Sequence, residues 1–315
     1  MSTVLECKDL ADVSGKSSIR YEVVDSCHVR PQAKRDGLLN LWYPIVADSP
    51  YQRVLDISIS SPWPWTVRRE PEHGNWMLHA NTPGLDNVEA TFRIRYLVER
   101  TAVTHLVHPA CVGPRESSAL FERWLHAEQF VDVNDKTREL ALEVVGAKTN
   151  VLEQARLVYE YVTGAMTYDA ARQSWKGSTE HALVCSVGNC NDIHALFISL
   201  CRSLGIPARL ILGQAFEAPP PGQEACELCG YHCWAEFFAP GLGWVPADAS
   251  CACKYGKHRL FGDLEMNHVA WSVGRDIELS PPQQCQPLLF FAGPYAEVDG
   301  LPLPPLDRHI VVDEV

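Results

Sequence analysis

Through about residue 110, apolar side chains recur mainly at every second position, in short runs separated by turn-rich breaks. The runs are Ser18-Ile19-Arg20-Tyr21-Glu22-Val23-Val24, Leu38 to Pro44, Val54 to Ser60 and Ala90 to Val98, with Pro, Gly and Asn between them. Period-two spacing bounded by such residues predicts half-buried strands, and this many of them predicts a β-sandwich. The cluster Ser61-Pro62-Trp63-Pro64-Trp65 reads as loop, because proline cannot donate to a strand ladder.

From about residue 116 the period changes to that of a helix. Asn134 or Asp135 is the expected cap of a helix carrying Leu140, Ala141, Val144 and Val145 on one stripe. Asn150 caps the next, with Leu152, Ala155, Val158, Tyr159 and Val162 on its buried face. A third begins near Cys190, carries Ile193, Leu196, Phe197, Leu200, Cys201 and Leu204, and stops at Gly205-Ile206-Pro207. Strands then return over Ala208 to Gly213, Tyr231 to Phe238 and Trp244 to Asp248. The intervening Glu217-Ala218-Pro219-Pro220-Pro221-Gly222-Gln223 is too proline-rich for regular structure and is expected as an exposed loop. The tail adds β-like runs at Val269 to Val273 and Leu288 to Phe291.

Composition narrows the partners. With 27 Lys and Arg against 39 Asp and Glu, the 315-residue chain has a net charge of −12, which argues against a polyanion-binding surface, so nucleic acid is not an expected partner. No stretch reaches the roughly 18 apolar residues of a membrane span, so no membrane partner is expected either. The first residues show no basic-then-apolar signal pattern, so a cytoplasmic location is expected. In that compartment the 12 cysteines are read as reduced thiols.

Three of the segments carry chemistry. In Gly188-Asn189-Cys190-Asn191-Asp192 the thiol of Cys190 falls where a turn ends and a helix begins. Unpaired backbone N–H groups and the helix dipole there favour the thiolate, the attacking species. His232-Cys233-Trp234 and Trp244-Val245-Pro246-Ala247-Asp248 supply an imidazole and a carboxylate on adjoining strands. A three-residue turn at Ala239-Pro240-Gly241, with Gly241 left-handed, pairs Phe238 with Leu242 and so His232 with Asp248, whereas a two-residue turn pairs His232 with Ala249. A carboxylate facing the imidazole fixes its tautomer while the other ring nitrogen takes the thiol proton. Singly, each residue also has a structural role: a buried helix Cys, a hydrogen-bonded strand His, a strand-end Asp. Together they point to nucleophilic catalysis. The backbone N–H of Cys190 is a first oxyanion donor; Trp175 is either a second or packing, Asn189 a helix cap, and Asp192 an electrostatic or surface cap.

These motifs, in this order, resemble the transglutaminase-like superfamily: Gly-x-Cys at a helix start, a His-x-Trp strand and a Trp-x-x-x-Asp strand. Gly205-Ile206-Pro207-Ala208-Arg209 is similar to the family's link out of the nucleophile helix, and Val273-Gly274-Arg275-Asp276 to a late segment of bacterial members. The resemblance is specific over roughly residues 160 to 280. It implies an α+β, papain-like core, in which a nucleophile-bearing helix packs on an antiparallel sheet, behind a β-sandwich-like N-terminal domain. The division expected is 1–115 for that β-rich domain and 116–315 for the core with a β-rich C-terminal segment. The resemblance further implies a cysteine hydrolase or acyltransferase acting on amides through a thioester, with Cys190 as nucleophile, His232 as general base and acid, and Asp248 as orienter. Hydrolysis of a peptide or isopeptide is favoured over amine transfer to a protein glutamine; a catalytically silent peptide-binding module is a third reading. The expected partner is a peptide or protein amide.

No cofactor is expected. Cys226-Glu227-Leu228-Cys229 has a zinc-knuckle gap, and with Cys251 and Cys253 it would make four sulfurs, with His258 nearby. Cys-x-Cys is a poorer half-site, so structural zinc is the minority reading beside unligated thiols. No His-Glu-x-x-His array supports a zinc hydrolase.

Overall fold

Tyr21, Val23, Asp25, Cys27 and Val29 are buried in turn along β1 (Ser18–Val29), the pattern of a strand with one face on a core. The computed structural model describes residues 18–30, 37–83, 89–104, 108–114, 119–216, 226–228, 230–256 and 260–315. The next strands are β2 (Leu38–Pro44), β3 (Gln52–Ser60), β4 (Trp65–Arg69), β5 (Trp76–Pro83) and β6 (Ala90–Thr101). The helices α1 (Asp135–Val145), α2 (Val151–Ala165), α3 (Thr179–Cys185) and α4 (Cys190–Ser203) follow. After them come β7 (Ala208–Ala215), β8 (Cys226–Leu228), β9 (His232–Ala239), β10 (Gly243–Ala247) and α5 (Ala249–Tyr255), then β11 (His268–Val273), β12 (Tyr295–Val298) and β13 (Asp307–Glu314). This is a mixed α+β fold.

The chain forms two compact units. A strand unit contains Ser18–Thr101, Leu212–His232 and Met266–Val315, and a helical unit contains Ala102–Ile211 and Cys233–Glu265. In the strand unit one five-stranded sheet has the order β8-β13-β1-β6-β3 and the other runs Leu301–Pro302, β12, β2, β5, β4. Their inner faces share one core, in which Val23, Leu41, Tyr43, Phe92, Tyr96 and Val312 are buried. The buried Asp25 of that core accepts from Arg308 Nε at 2.9 Å and Nη2 at 2.6 Å and from Tyr43 Oη at 2.6 Å, the full pairing that a buried carboxylate requires. The last strands therefore complete the sandwich of the first, β13 lying beside β1 with Tyr21 opposite Glu314.

Two expectations shift here. The Trp-Pro cluster is loop only as far as Pro64, and Trp65 already opens β4. Leu288 to Phe291 is no strand: apart from a single bridge of Leu288 to Ile277, the run anchors a coil. Phe291 is buried with Trp42, Met77, Ile277 and Leu279. A short apolar run between Pro287 and Pro294 cannot be told by pattern alone from a core-anchoring coil.

In the helical unit the caps are as expected. Asn134 forms a capping box with Thr137, and Asn150 accepts from Leu152 N and Glu153 N. The five residues assigned to the inner face of α2 are all buried. Helix α4 is buried along its whole length, the mark of a central helix; it lies against α1, α2, α3 and α5. Phe197 of α4 meets Tyr159 of α2 edge-on at 6.4 Å and Phe237 of β9 at 6.3 Å. Sheet order in this unit is β10-β9-β7. The chain passes into the strand unit within β7, whose continuation borders β11: a Cβ added to Gly213 would sit 2.0 Å from Val269 O. The expected loop at 217–223 lies outside the described residues.

Candidate functional site

Cys190 is the first residue of α4 and is buried. The preceding Asn189 is extended, and its side-chain oxygen accepts from Asn191 N at 3.0 Å and Asp192 N at 3.3 Å. Asp192 answers by accepting from Asn189 N at 3.3 Å, which closes a capping box. Glycine at 188 has a local reason, since a Cβ there would stand 2.6 Å from Asp192 Cβ. The thiol thus sits at the positive end of a helix that its surroundings hold rigidly.

Asp192 is wholly buried and does more than the capping role read from sequence. Its carboxylate accepts from Ser174 N at 3.1 Å, from Ser178 N at 3.0 Å and from the Ser174 hydroxyl. Asn189 Nδ2 also donates to Gln173 Oε1. The loop before α3 is thereby tied to the nucleophile turn. Trp175 on that loop has φ of 64° and is 77% exposed, so it is no core packing residue. Removing the Asp192 carboxylate takes the acceptor from several half-buried donors, Ser174 N, Ser174 Oγ, Ser178 N and Asn189 N. Asp192→Ala is therefore expected to lower stability by about 3 kcal/mol or more, read as a fall in the urea midpoint, with Asp192→Asn retaining part of it.

The hairpin carrying His232 and Asp248 turns one residue later than expected. Ala239 pairs with Gly243 and Phe238 with Trp244, so the loop is Pro240-Gly241-Leu242. Gly241 is left-handed at φ 87° as expected, and Leu242 N donates to Ala239 O at 2.9 Å. The ladder ends at Ala235 opposite Ala247. Asp248 therefore lies just beyond the ladder and is not a partner of His232 in it, the register having shifted by two residues.

Instead, Asp248 is the N-cap of α5. Its Oδ1 accepts from Cys251 N at 2.8 Å and Ser250 Oγ at 3.0 Å, and its carbonyl accepts from Tyr159 Oη at 3.4 Å. The carboxylate is fully buried. Burial and the nearby Asp248 charge push the Tyr159 phenol up, so it stays a neutral donor. His232 opens β9, and its ring meets His268 edge-on at 5.5 Å in the strand unit. The next residue, Cys233, points to α4, with Sγ donating to Asn191 Oδ1 at 3.2 Å. Asn191, His194 and Cys233, none of them assigned a role from sequence, are all buried in the helical unit around α4. A periodicity signal existed for His194, which lies four residues after Cys190 and so on the same helix face.

The remaining cysteines divide by environment. Burial pushes Cys27 up to about 12 and Cys201 higher still. Burial, with Asp248 second, pushes Cys253 up to about 11. Cys185 is exposed. Cys111 is disulfide-bonded, an exception to the expectation of reduced thiols. Of the sulfurs considered for zinc, Cys251 and Cys253 both lie on α5, and Cys253 Sγ faces Thr163 O at 4.0 Å. Cys229 and the nearby His258 lie outside the described residues, as does the side chain of Cys226. In the helical unit Asp248 and Cys251 bring a carboxylate oxygen and Sγ within 4.8 Å, and in the strand unit the His232 and His268 ring nitrogens come equally close.

Residues 138–249 match the core of the transglutaminase-like superfamily, and the chain carries a transglutaminase-like core. An uncharacterized protein of Haemophilus influenzae is 28% identical over 326 residues, spanning 91% of this chain and 88% of its own. The crystal structure of a candidate cysteine protease from Cytophaga hutchinsonii superposes with a TM-score of 0.64 at 16% identity, covering 95% of this chain and 91% of that one. The periplasmic domain of TgpA from Pseudomonas aeruginosa is more distant, with a TM-score of 0.36 at 13% identity over 74% of this chain and 98% of that domain. The fold is thus shared with the Cytophaga hutchinsonii crystal structure, and its core is of the transglutaminase-like type. Among the described residues no helix is long and apolar enough to cross a membrane.

Proposed function

We propose that the protein is a thiol-dependent acyl-transfer enzyme that hydrolyses a peptide or isopeptide amide through Cys190, His232 and Asp248. The observation that carries this reading is the thiol of Cys190 at the first position of a fully buried helix whose N-terminus is closed by a capping box, within a core of the transglutaminase-like type. His232 takes the thiol proton, and the thiolate attacks the amide carbon. The tetrahedral oxyanion accepts from the Cys190 backbone N–H, as α4's first amides lack helical partners. Its collapse breaks the C–N bond, and the imidazolium gives its proton to the leaving amine or ammonia. Water, deprotonated by the same imidazole, then cleaves the thioester and restores the thiol. Asp248 holds the imidazole tautomer and stabilises the imidazolium. Its full burial and fixed hydrogen bonds suit it to that static role.

The acyl acceptor distinguishes this reading from protein cross-linking. Profiling with peptide, isopeptide and glutamine substrates, in the presence of a lysine analogue, is expected to release free amine or ammonia without forming cross-linked product. Equal activity in wild type and Cys190→Ala would remove the nucleophile assignment, and dominant cross-linked product would replace hydrolysis by transamidation.

A further inference from the structure

Deep in the helical unit, His194 connects the helix that bears the thiol to the turn that bears the carboxylate. It lies on α4 four residues beyond Cys190 and is completely buried. Its Nε2 accepts from the backbone N–H of Ala249 at 3.1 Å and stands 3.6 Å from Asp248 Oδ1. Its Nδ1 lies 3.7 Å from Cys233 Sγ.

The proton arrangement follows from the one donor whose identity is certain. A backbone N–H can only donate, so Nε2 must present its lone pair to Ala249, and a neutral ring then carries its proton on Nδ1. That proton faces Cys233 Sγ, and the thiol in turn donates to Asn191 Oδ1 at 3.2 Å. The sequence of donors is thus Ala249 N–H to His194, His194 Nδ1–H to Cys233, and Cys233 S–H to Asn191, each link with the proton on the correct side. The 3.6 Å separation from Asp248 is within ion-pair range, but Ala249 occupies the nitrogen that would have to carry the charge. His194 therefore acts on the peptide and not as a counter-ion.

That peptide joins Asp248 to Ala249. With it held by α4, and Oδ1 held by Ser250 and Cys251, the carboxylate has one orientation relative to the helix that carries Cys190. We propose that His194 is a positioning residue for Asp248, keeping the carboxylate in register with the thiol; this rests on the Cys190–His232–Asp248 reading. Replacing the imidazole by an apolar group of similar size frees the 248–249 peptide, leaves Ala249 N–H buried without its acceptor and lets the carboxylate rotate. The effect then passes through Asp248 to the imidazole, and so to thiolate formation at Cys190.

The rate at which iodoacetamide alkylates Cys190, followed by peptide mass spectrometry from pH 5 to 9, reads thiolate formation without needing the natural substrate. For His194→Leu the expectation is alkylation about tenfold slower than wild type near pH 6, the profile moving towards that of an ordinary thiol. In His194→Gln the amide oxygen can accept from Ala249 N–H, and the profile is expected to stay within about twofold of wild type. A packing role alone would treat the two variants alike. A wild-type profile in a folded His194→Leu overturns the proposal, as does an equal loss in Leu and Gln variants. His232→Ala separates this from the underlying reading: if it slows alkylation and His194→Leu does not, only positioning fails, whereas if neither slows it, the triad reading itself fails. Should His194→Leu not fold, nitrogen NMR of the wild-type imidazole decides. An Nδ1–H tautomer of His194 at neutral pH supports the proposal, and an Nε2–H or doubly protonated ring overturns it.

Discussion

Cys190→Ala is expected to lower turnover of any amide substrate by about 10⁴-fold or more while leaving substrate affinity almost unchanged. The reason is that the thiol is asked to form the covalent intermediate itself, and no neighbouring group replaces a thiolate in that step. The structural cost is small. Alanine is the best helix former, the first position of α4 keeps its cap from Asn189, and the lost sulfur leaves a space of one atom, so the stability change is about 1 kcal/mol. Steady-state kinetics beside a urea denaturation curve separates the two effects. A variant that folds as wild type and still turns over would leave Cys190 as an ordinary buried helix residue.

Asp248 offers a sharper dissection, because it serves a cap and a proposed triad at once. Asp248→Asn retains an oxygen for Cys251 N and Ser250 Oγ, and asparagine caps a helix as well as aspartate does, so stability is expected to hold within about 1 kcal/mol. The charge that supports an imidazolium is gone, and turnover is expected to fall by about 10³- to 10⁴-fold. Asp248→Ala loses the charge and the cap together, adding a loss of about 1–2 kcal/mol in stability. If Asp248→Asn retains full turnover and only Asp248→Ala is impaired, the carboxylate is structural.

Much of this was legible in local pattern. The alternation that marks β1, β2 and β6, and the Asn134, Asn150 and Asn189 caps, depend on residues within a few positions of one another. The placement of Cys190 at a helix start belongs to the same class. The hairpin turns one residue later than its sequence predicts, because Gly241 and Gly243, both left-handed, let the chain turn in more than one frame. The wider role of Asp192 is not legible in sequence, because its partners Ser174 and Ser178 come from a loop 14 to 18 positions upstream, which no helical period reveals. The pairing of β13 with β1 joins opposite ends of the chain, and neither strand encodes the other. His194 stood on the right face of α4, but its role appears only once the Ala249 amide is brought against it.

The most direct test of the nucleophile is competition among the chain's own thiols. Cys185 is exposed, and Cys27 and Cys253 are held protonated by burial. With limiting iodoacetamide at about pH 6, a thiol activated by a helix N-terminus and an imidazole should react ahead of an ordinary one in spite of its burial. Peptide mapping of the native protein is expected to find the label predominantly on Cys190. Label found first on Cys185, with Cys190 unmodified, would contradict it.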